Sequence, residues 1–224
     1  MRIEFIISLI SFFIITSCNN QDNHNESVKT SSNVDTIFIR DTIYITNDLN
    51  KDWQKDFGLT HDPNIDSIWG KAAAYYLNDE NCNGIAFDFY YGYFRPSDNG
   101  STIELLKLAC SENNKLRPFY RWCLTKTIQI SDGALGELIG VPARQYAEKY
   151  PDEFFEYMNN EKNKDKYNLW TKAIQYSGYF DRPDYDNRKQ QREALIERMT
   201  KNLKLKNVEN IERVKIFAKD CEAL

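Results

Sequence analysis

Asp88, Tyr90, Tyr91, Tyr93, Phe94 and Arg95 fall within one short stretch of the chain, and they are residue types from which a recognition surface is built. Aromatic faces stack on a sugar ring or fill a pocket on a protein, while a carboxylate and a guanidinium at the edge set orientation. The same rings also suit a buried core, and core packing is the stronger use for most of them. Acids offer a second chemistry. Asp79 with Glu80, Asp152 with Glu153 and Glu156, and Asp184 with Asp186 could each supply the carboxyl pair that glycan or peptidoglycan hydrolysis needs at a separation of about 5–10 Å. Helix first turns and solvated faces collect acids without any chemistry, so no catalytic residue is assigned from these pairs.

Histidine, glycine and cysteine narrow the choice further. Only His24 and His61 are present, neither lies at ligand spacing from another His or a Cys, and no H-E-x-x-H occurs, so no metal or cofactor is expected. His61 precedes a predicted helix start and reads as a surface or capping residue, on which a histidine-based hydrolase would have to rely almost wholly. Gly133, Gly136 and Gly140 lack the preceding strand and the terminal Lys-Ser/Thr of a phosphate loop, which leaves close helix packing as their expected role. Cys82, Cys110, Cys123 and Cys221 show no C-x-x-C spacing, and in an exported protein they are candidates for disulfides.

The elements that would position these residues are helical. Asp62-Pro63 is a plausible helix start, followed by a core-facing stripe through Ile65, Ile68 or Trp69, Ala72, Ala73, Tyr76 and Leu77. The segment from Gly84 to Phe94 is open between helix and strand, because its aromatics favour strands while its apolar run does not alternate. Ser101 and Glu104 form a capping-box pattern, and a further helix begins near Pro118. Gly140-Val141-Pro142 is expected to separate a helical piece at 134–139 from another at 142–150. Pro151 starts the next helix. Beyond it, Tyr167, Trp170, Ile174 and Ser177 trace one side of a helix and Leu169, Ala173, Tyr176 and Phe180 the other, which predicts cover on two faces. Helices over 184–203 and from Val208 complete an all-α domain of about seven to nine helices, an irregular bundle or a short array of helical pairs. The basic residues Lys201, Lys204 and Lys206 are followed by Glu209 and Glu212 and read as a mixed face.

The chain has 224 residues, of which 42% are hydrophobic and 28% charged, the balance of a folded protein. Its 29 Lys and Arg against 33 Asp and Glu leave a formal charge of −4, which speaks against a nonspecific nucleic-acid-coating role. With 13 Phe, 14 Tyr and 4 Trp, it has enough bulky material for a core and for some surface rings besides.

The first residues carry an address. Arg2 precedes an apolar run from Phe5 to Ile15, shorter than the roughly 20 residues of a spanning helix and suited to a secretory h-region of about 7–15. Ile15-Thr16-Ser17-Cys18 resembles the lipobox of bacterial lipoproteins with a type II signal peptide, and the polar Asn19-Asn20-Gln21-Asp22 run resembles the lipoproteins of the Bacteroidota. The resemblance implies that residues 1–17 are a signal peptide and that Cys18 becomes an acylated first residue carrying palmitate-class chains. The mature protein would then be held in the cell envelope, at the outer membrane, with its facing side left open. Residues 18–49 read as a polar tether containing an extended stem, in which Asp35-Thr36-Ile37-Phe38-Ile39-Arg40 is nearly repeated by Asp41-Thr42-Ile43-Tyr44-Ile45-Thr46. Residues 50–224 form the helical domain. The leading expectation is a noncatalytic protein-binding or scaffold lipoprotein, an immunity or inhibitor protein being one version. The alternatives are a carboxylate-based glycan or peptidoglycan hydrolase and a noncatalytic glycan binder.

Overall fold

Four helices of the computed structural model begin on an asparagine, whose side-chain oxygen takes up a first-turn amide that has no partner inside the helix. Asn83 accepts from the Ile85 N–H at 2.9 Å, Asn99 from Thr102 at 2.9 Å, Asn187 from Gln190 at 3.1 Å and Asn207 from Asn210 at 2.8 Å. The structure describes residues 53–159, 164–183 and 187–222; the expected signal peptide, Cys18, the expected tether with its repeat, and the Asp184/Asp186 pair lie outside the described residues.

Within them the chain runs through α1 (Trp53–Asp56), the two-residue strands β1 (Ser67–Ile68) and β2 (Lys71–Ala72), α2 (Ala73–Leu77), α3 (Gly84–Tyr90) and α4 (Gly100–Lys107). A 3₁₀ turn (Leu108–Cys110) leads to α5 (Arg117–Ile130), α6 (Gly133–Lys149), α7 (Pro151–Asn159), α8 (Lys164–Ser177), α9 (Arg188–Asn202) and α10 (Val208–Asp220). This is an all-α, irregular bundle with no closed sheet. Its most extensive helix contact is α6 on α8, and α5 stands at the centre, touching α3, α4, α6 and α8. The core has two aromatic sectors. Trp53, Tyr76, Phe89, Tyr90 and Phe119 fill one, and Tyr146, Phe154, Trp170 and Phe217 the other.

Several local expectations are corrected. The predicted helix from Asp62 begins only at Ala73, because Asp62 is spent on a turn. Its carboxylate accepts from Asn64 N at 2.8 Å and its carbonyl from Asp66 N at 2.8 Å. The chain then folds into the antiparallel β1–β2 hairpin, whose central residues Trp69 and Gly70 have φ of 52° and 72°. Positive φ at both central positions is what a tight hairpin turn matching strand twist requires. The segment from Gly84, open between helix and strand, is helical up to Tyr90. The cap of α4 is Asn99, and Ser101 lies inside the helix.

No break occurs at Gly140-Val141-Pro142, where α6 runs straight through. Ser177 on α8 supports it there: its hydroxyl donates to the Gly136 carbonyl at 2.7 Å and accepts from the Gly140 N–H at 3.0 Å, bridging one turn of the neighbouring helix. The contact is close, since a Cβ on Gly140 would stand 2.4 Å from both the Ala173 carbonyl oxygen and the Gly178 nitrogen. Close packing thus accounts for Gly140 as expected, whereas Gly133 faces open space. The two-sided cover expected for α8 is incomplete. Trp170, Ile174, Ser177 and Ala173 are buried, but Tyr176 and Phe180 stay exposed.

Candidate functional site

The chain leaves α3 through a turn that sorts the six candidate binding residues into two groups. Tyr90 is the last residue of α3 and is buried. Its ring packs against Phe119 and Trp122, and its hydroxyl donates to Asp66 at 2.7 Å. Tyr90 therefore belongs to the core and not to a binding surface. Phe94 also packs partly against the core. Tyr91 and Tyr93 remain outside, 38% and 44% exposed. Their rings stack with centroids 6.2 Å apart and planes 29° from parallel, and Phe87 supports Tyr91 from one turn earlier at 4.6 Å. Arg95 lies 5.6 Å from the ring of Phe57, which is itself 42% exposed. Asp88 is half-buried beneath the turn, where desolvation pushes its carboxyl above the usual carboxylate range.

The turn is fixed from below. The Asp88 carbonyl accepts from both Tyr93 N at 2.8 Å and Phe94 N at 3.1 Å, which closes the chain behind Gly92. From α1, the Trp53 indole N–H donates to the Gly92 carbonyl at 3.0 Å, and the Gln54 amide donates to the carbonyls of Phe89 and Tyr90 at 2.9 and 3.1 Å. Gly92 has φ of 77°, and a Cβ there would meet Gln54 Oε1 at 2.9 Å, so glycine is needed on both counts. Phe57, Trp53 and Gln54 escaped the reading of the sequence because they sit more than thirty positions before the turn; the one local signal was a glycine between two tyrosines.

The other sequence candidates are placed as follows. Asp79 takes Lys115 at 2.5 Å and the Asn81 N–H at 2.8 Å, which is a surface turn. Asp152 accepts from the Lys204 N–H at 3.0 Å, Glu156 is exposed, and Glu153 turns inward to two arginines. The acids of that cluster thus serve three separate places. No disulfide joins Cys82, Cys110, Cys123 or Cys221. Cys110 flanks α6 and Cys221 is enclosed at the end of α10, whereas Cys82 and Cys123 both lie near Tyr120. Burial raises the Cys110 thiol to about 11 and drives those of Cys123 and Cys221 well above the ordinary range, so they pack as protonated, unreactive groups. Among the described residues no group of three or more His, Cys, Asp or Glu could hold a metal ion.

His61 is neither a surface nor a capping residue. Its side chain is 8% exposed and lies between Tyr90, stacked at 5.1 Å, and Trp122, edge-on at 4.8 Å. Nδ1 is 3.2 Å from Asp66 Oδ2, while Nε2 is buried without a hydrogen-bond partner. Desolvation lowers its pKa and Lys126 adds to that, against the raising effect of Asp66. A folded-state pKa below the unfolded value means that the unfolded chain binds the proton more readily, so stability falls as pH drops below about 6.5. Thermal unfolding of the protein between pH 7.5 and 5 should show this loss, and His61→Gln should flatten that part of the profile. Equal slopes for the two proteins would refute it.

A second buried constellation lies beneath the hairpin. Glu153 accepts from Arg117 Nε and Nη2 through Oε2 at 3.0 and 2.8 Å, and from Arg121 Nη1 and the Tyr146 hydroxyl through Oε1 at 3.0 and 2.8 Å. The Arg121 guanidinium lies over the rings of both Trp69, at 4.3 Å, and Tyr157, at 3.9 Å. Glu153 thus serves two guanidinium groups at hydrogen-bonding distance, while Arg121 Nε is buried without a partner, and the cluster ties α5 to α7. Compared with protein-family models, with curated proteins and with solved structures, the chain matches none, so its own geometry carries the functional argument.

Proposed function

We propose that the protein is a membrane-tethered, noncatalytic binding module that recognises a protein partner in the cell envelope through the aromatic turn after α3. An immunity or inhibitor lipoprotein is a specific version of this reading. The observation that carries it is the pair Tyr91 and Tyr93, exposed on a turn that Trp53 and Gln54 hold from beneath. Aromatic anchors already fixed in place lose little conformational freedom on binding, and with a neighbouring arginine they match the composition of interface hot spots. Glu153 is fully engaged with Arg117 and Arg121, which leaves the hydrolase alternative with less support. The near-parallel stacking of Tyr91 and Tyr93 favours a glycan ligand as the second reading.

Crosslinking from native membranes tests the proposal. Tyr91→Ala with Tyr93→Ala should weaken capture by about thirtyfold or more, the effect of losing a hot spot worth about 2 kcal/mol, while leaving the fold intact because both rings are largely outside the core. Undiminished capture by the double variant would remove the turn from the interface, and binding of purified glycans with the same dependence would transfer it to the second reading. The tether has its own test: Cys18→Ser should release the protein from the membrane fraction, and unchanged processing and retention would sink the lipid anchor.

A further inference from the structure

A cleft of about 380 Å³ opens between the last turns of α6 and α9, lined by Cys110, Gln145, Glu148, Lys149, Arg198, Lys201 and Asn202. It lies on different elements from the aromatic turn, and its chemistry is that of charge. Lys149 comes from one wall, Arg198 and Lys201 from the other. Glu148 is the carboxylate on the cleft wall, and it is already neutralised: Oε1 accepts from Arg144 Nη1 at 2.8 Å, and both oxygens accept from Arg198 Nη1 at 3.3 and 3.2 Å. Arg144 Nη2 also donates to both carboxylate oxygens of Asp181, at 2.8 and 2.7 Å, and Lys149 pairs with Glu112. Among the described residues the carboxylates Glu112, Glu148 and Asp181 pair with Arg144, Lys149 and Arg198, and Glu197 stands one turn before Lys201 on α9.

Lys201 forms no ion pair among the described residues, although Glu197 lies four positions before it. It stands three positions after Arg198 on the same face of α9, where two like charges repel. Arg198 spends only Nη1 on Glu148, so its Nε and Nη2 donors remain for another acceptor. Part of this arrangement has a simpler use, since lysines in the last turn of a helix complement its dipole. That use does not require Arg198 and Lys201 to face a cleft together with Lys149.

We propose that this cleft binds a phosphate group. A phosphate offers several acceptor oxygens and up to two negative charges, which matches cations arriving from two walls better than the two coplanar oxygens of a single carboxylate do. It would bridge Arg198 and Lys201 from α9 to Lys149 from α6, with the amides of Gln145 and Asn202 at the margin. The phosphate can belong to a soluble molecule or to an anionic lipid headgroup, and both present the same chemistry to these side chains.

The test uses the full chain in detergent and follows its thermal unfolding at constant ionic strength. One arm titrates inorganic phosphate against chloride, and the other short-chain phosphatidylglycerol against short-chain phosphatidylcholine, both below their micellar concentrations. Phosphate should raise the unfolding temperature where chloride does not, and Lys201→Gln should weaken the apparent affinity about tenfold. Arg198→Gln with Lys201→Gln should weaken it further. The single Lys201 variant keeps the test valid even if loss of the Arg198–Glu148 pair disturbs the fold. Stabilisation by both ligands, or by either alone, supports the site and assigns the source. A response identical in the wild type and Lys201→Gln, or matched by chloride, overturns it.

Discussion

Glu153→Ala is expected to cost about 3–5 kcal/mol of folding stability, because it strips from two buried guanidinium groups at once the carboxylate that both are hydrogen-bonded to. Arg121 is wholly enclosed and Arg117 nearly so; both donate to this side chain, and beyond it, among the described residues, Arg117 reaches only the Ser111 carbonyl and Arg121 the Tyr146 hydroxyl. The rings of Trp69, Tyr157 and Tyr146 around Arg121 attract a cation, but an aromatic face does not replace a full negative charge. The Tyr146 hydroxyl would lose its acceptor as well. Urea denaturation of the variant should show the loss as a lower midpoint with an unchanged slope. A destabilisation below about 1 kcal/mol would mean that water reaches the arginines and that the network is not sealed.

Gly140→Ala is the second large effect, and its sign is opposite to that of the same change on an open helix face. In a solvated helix interior, alanine is preferred over glycine by about 1 kcal/mol. At Gly140 the added carbon would lie 2.4 Å from backbone atoms of two different residues of the neighbouring segment, Ala173 and Gly178, and 2.5 Å from Ser177 Oγ. Backbone cannot rotate out of the way as a flexible side chain can, so α6 and α8 must separate along the largest contact in the bundle. The expected net loss is about 3 kcal/mol, at the upper end of overpacking costs. Gly133→Ala is the control, since nothing lies within 4 Å of a Cβ there and the substitution should be neutral or slightly stabilising. Equal melting temperatures for wild type and Gly140→Ala would contradict the packing described.

What the sequence disclosed and what it hid divide along the range of the interactions. Helices set by local periodicity and a terminal signal, such as α5 behind Pro118 and α10 with Val214, Phe217 and Ala218 inward, were legible. The hairpin at Trp69 was not, because Asp62-Pro63 imitates a helix cap and a tryptophan at positive φ is rarely expected in a turn. The turn of α6 ahead of Pro142 is bridged by Ser177, a residue far along the chain, so Gly140-Val141-Pro142 looked like a break. Arginines are ordinarily assigned to solvent; Arg121 is held by Glu153, 32 positions away, and Arg144 by Asp181, 37 positions away, besides Glu148 on the next turn. At the candidate surface the composition of the aromatic stretch was legible while its orientation was not. Which of two adjacent tyrosines faces inward is decided by Asp66, Phe119 and Trp122, none of which is a near neighbour in sequence.

The Ser177 hydroxyl makes two elements share one opening event. The Gly140 amide donates to a side chain of α8, so movement of α8 away from α6 would expose its proton to exchange. Hydrogen–deuterium exchange at that single amide would then report the separation of the two helices and not the fraying of either. If the two form one cooperative unit, Gly140 will exchange as slowly as the amides of the buried middle of α8, and Ser177→Ala will accelerate it ahead of the rest of α6.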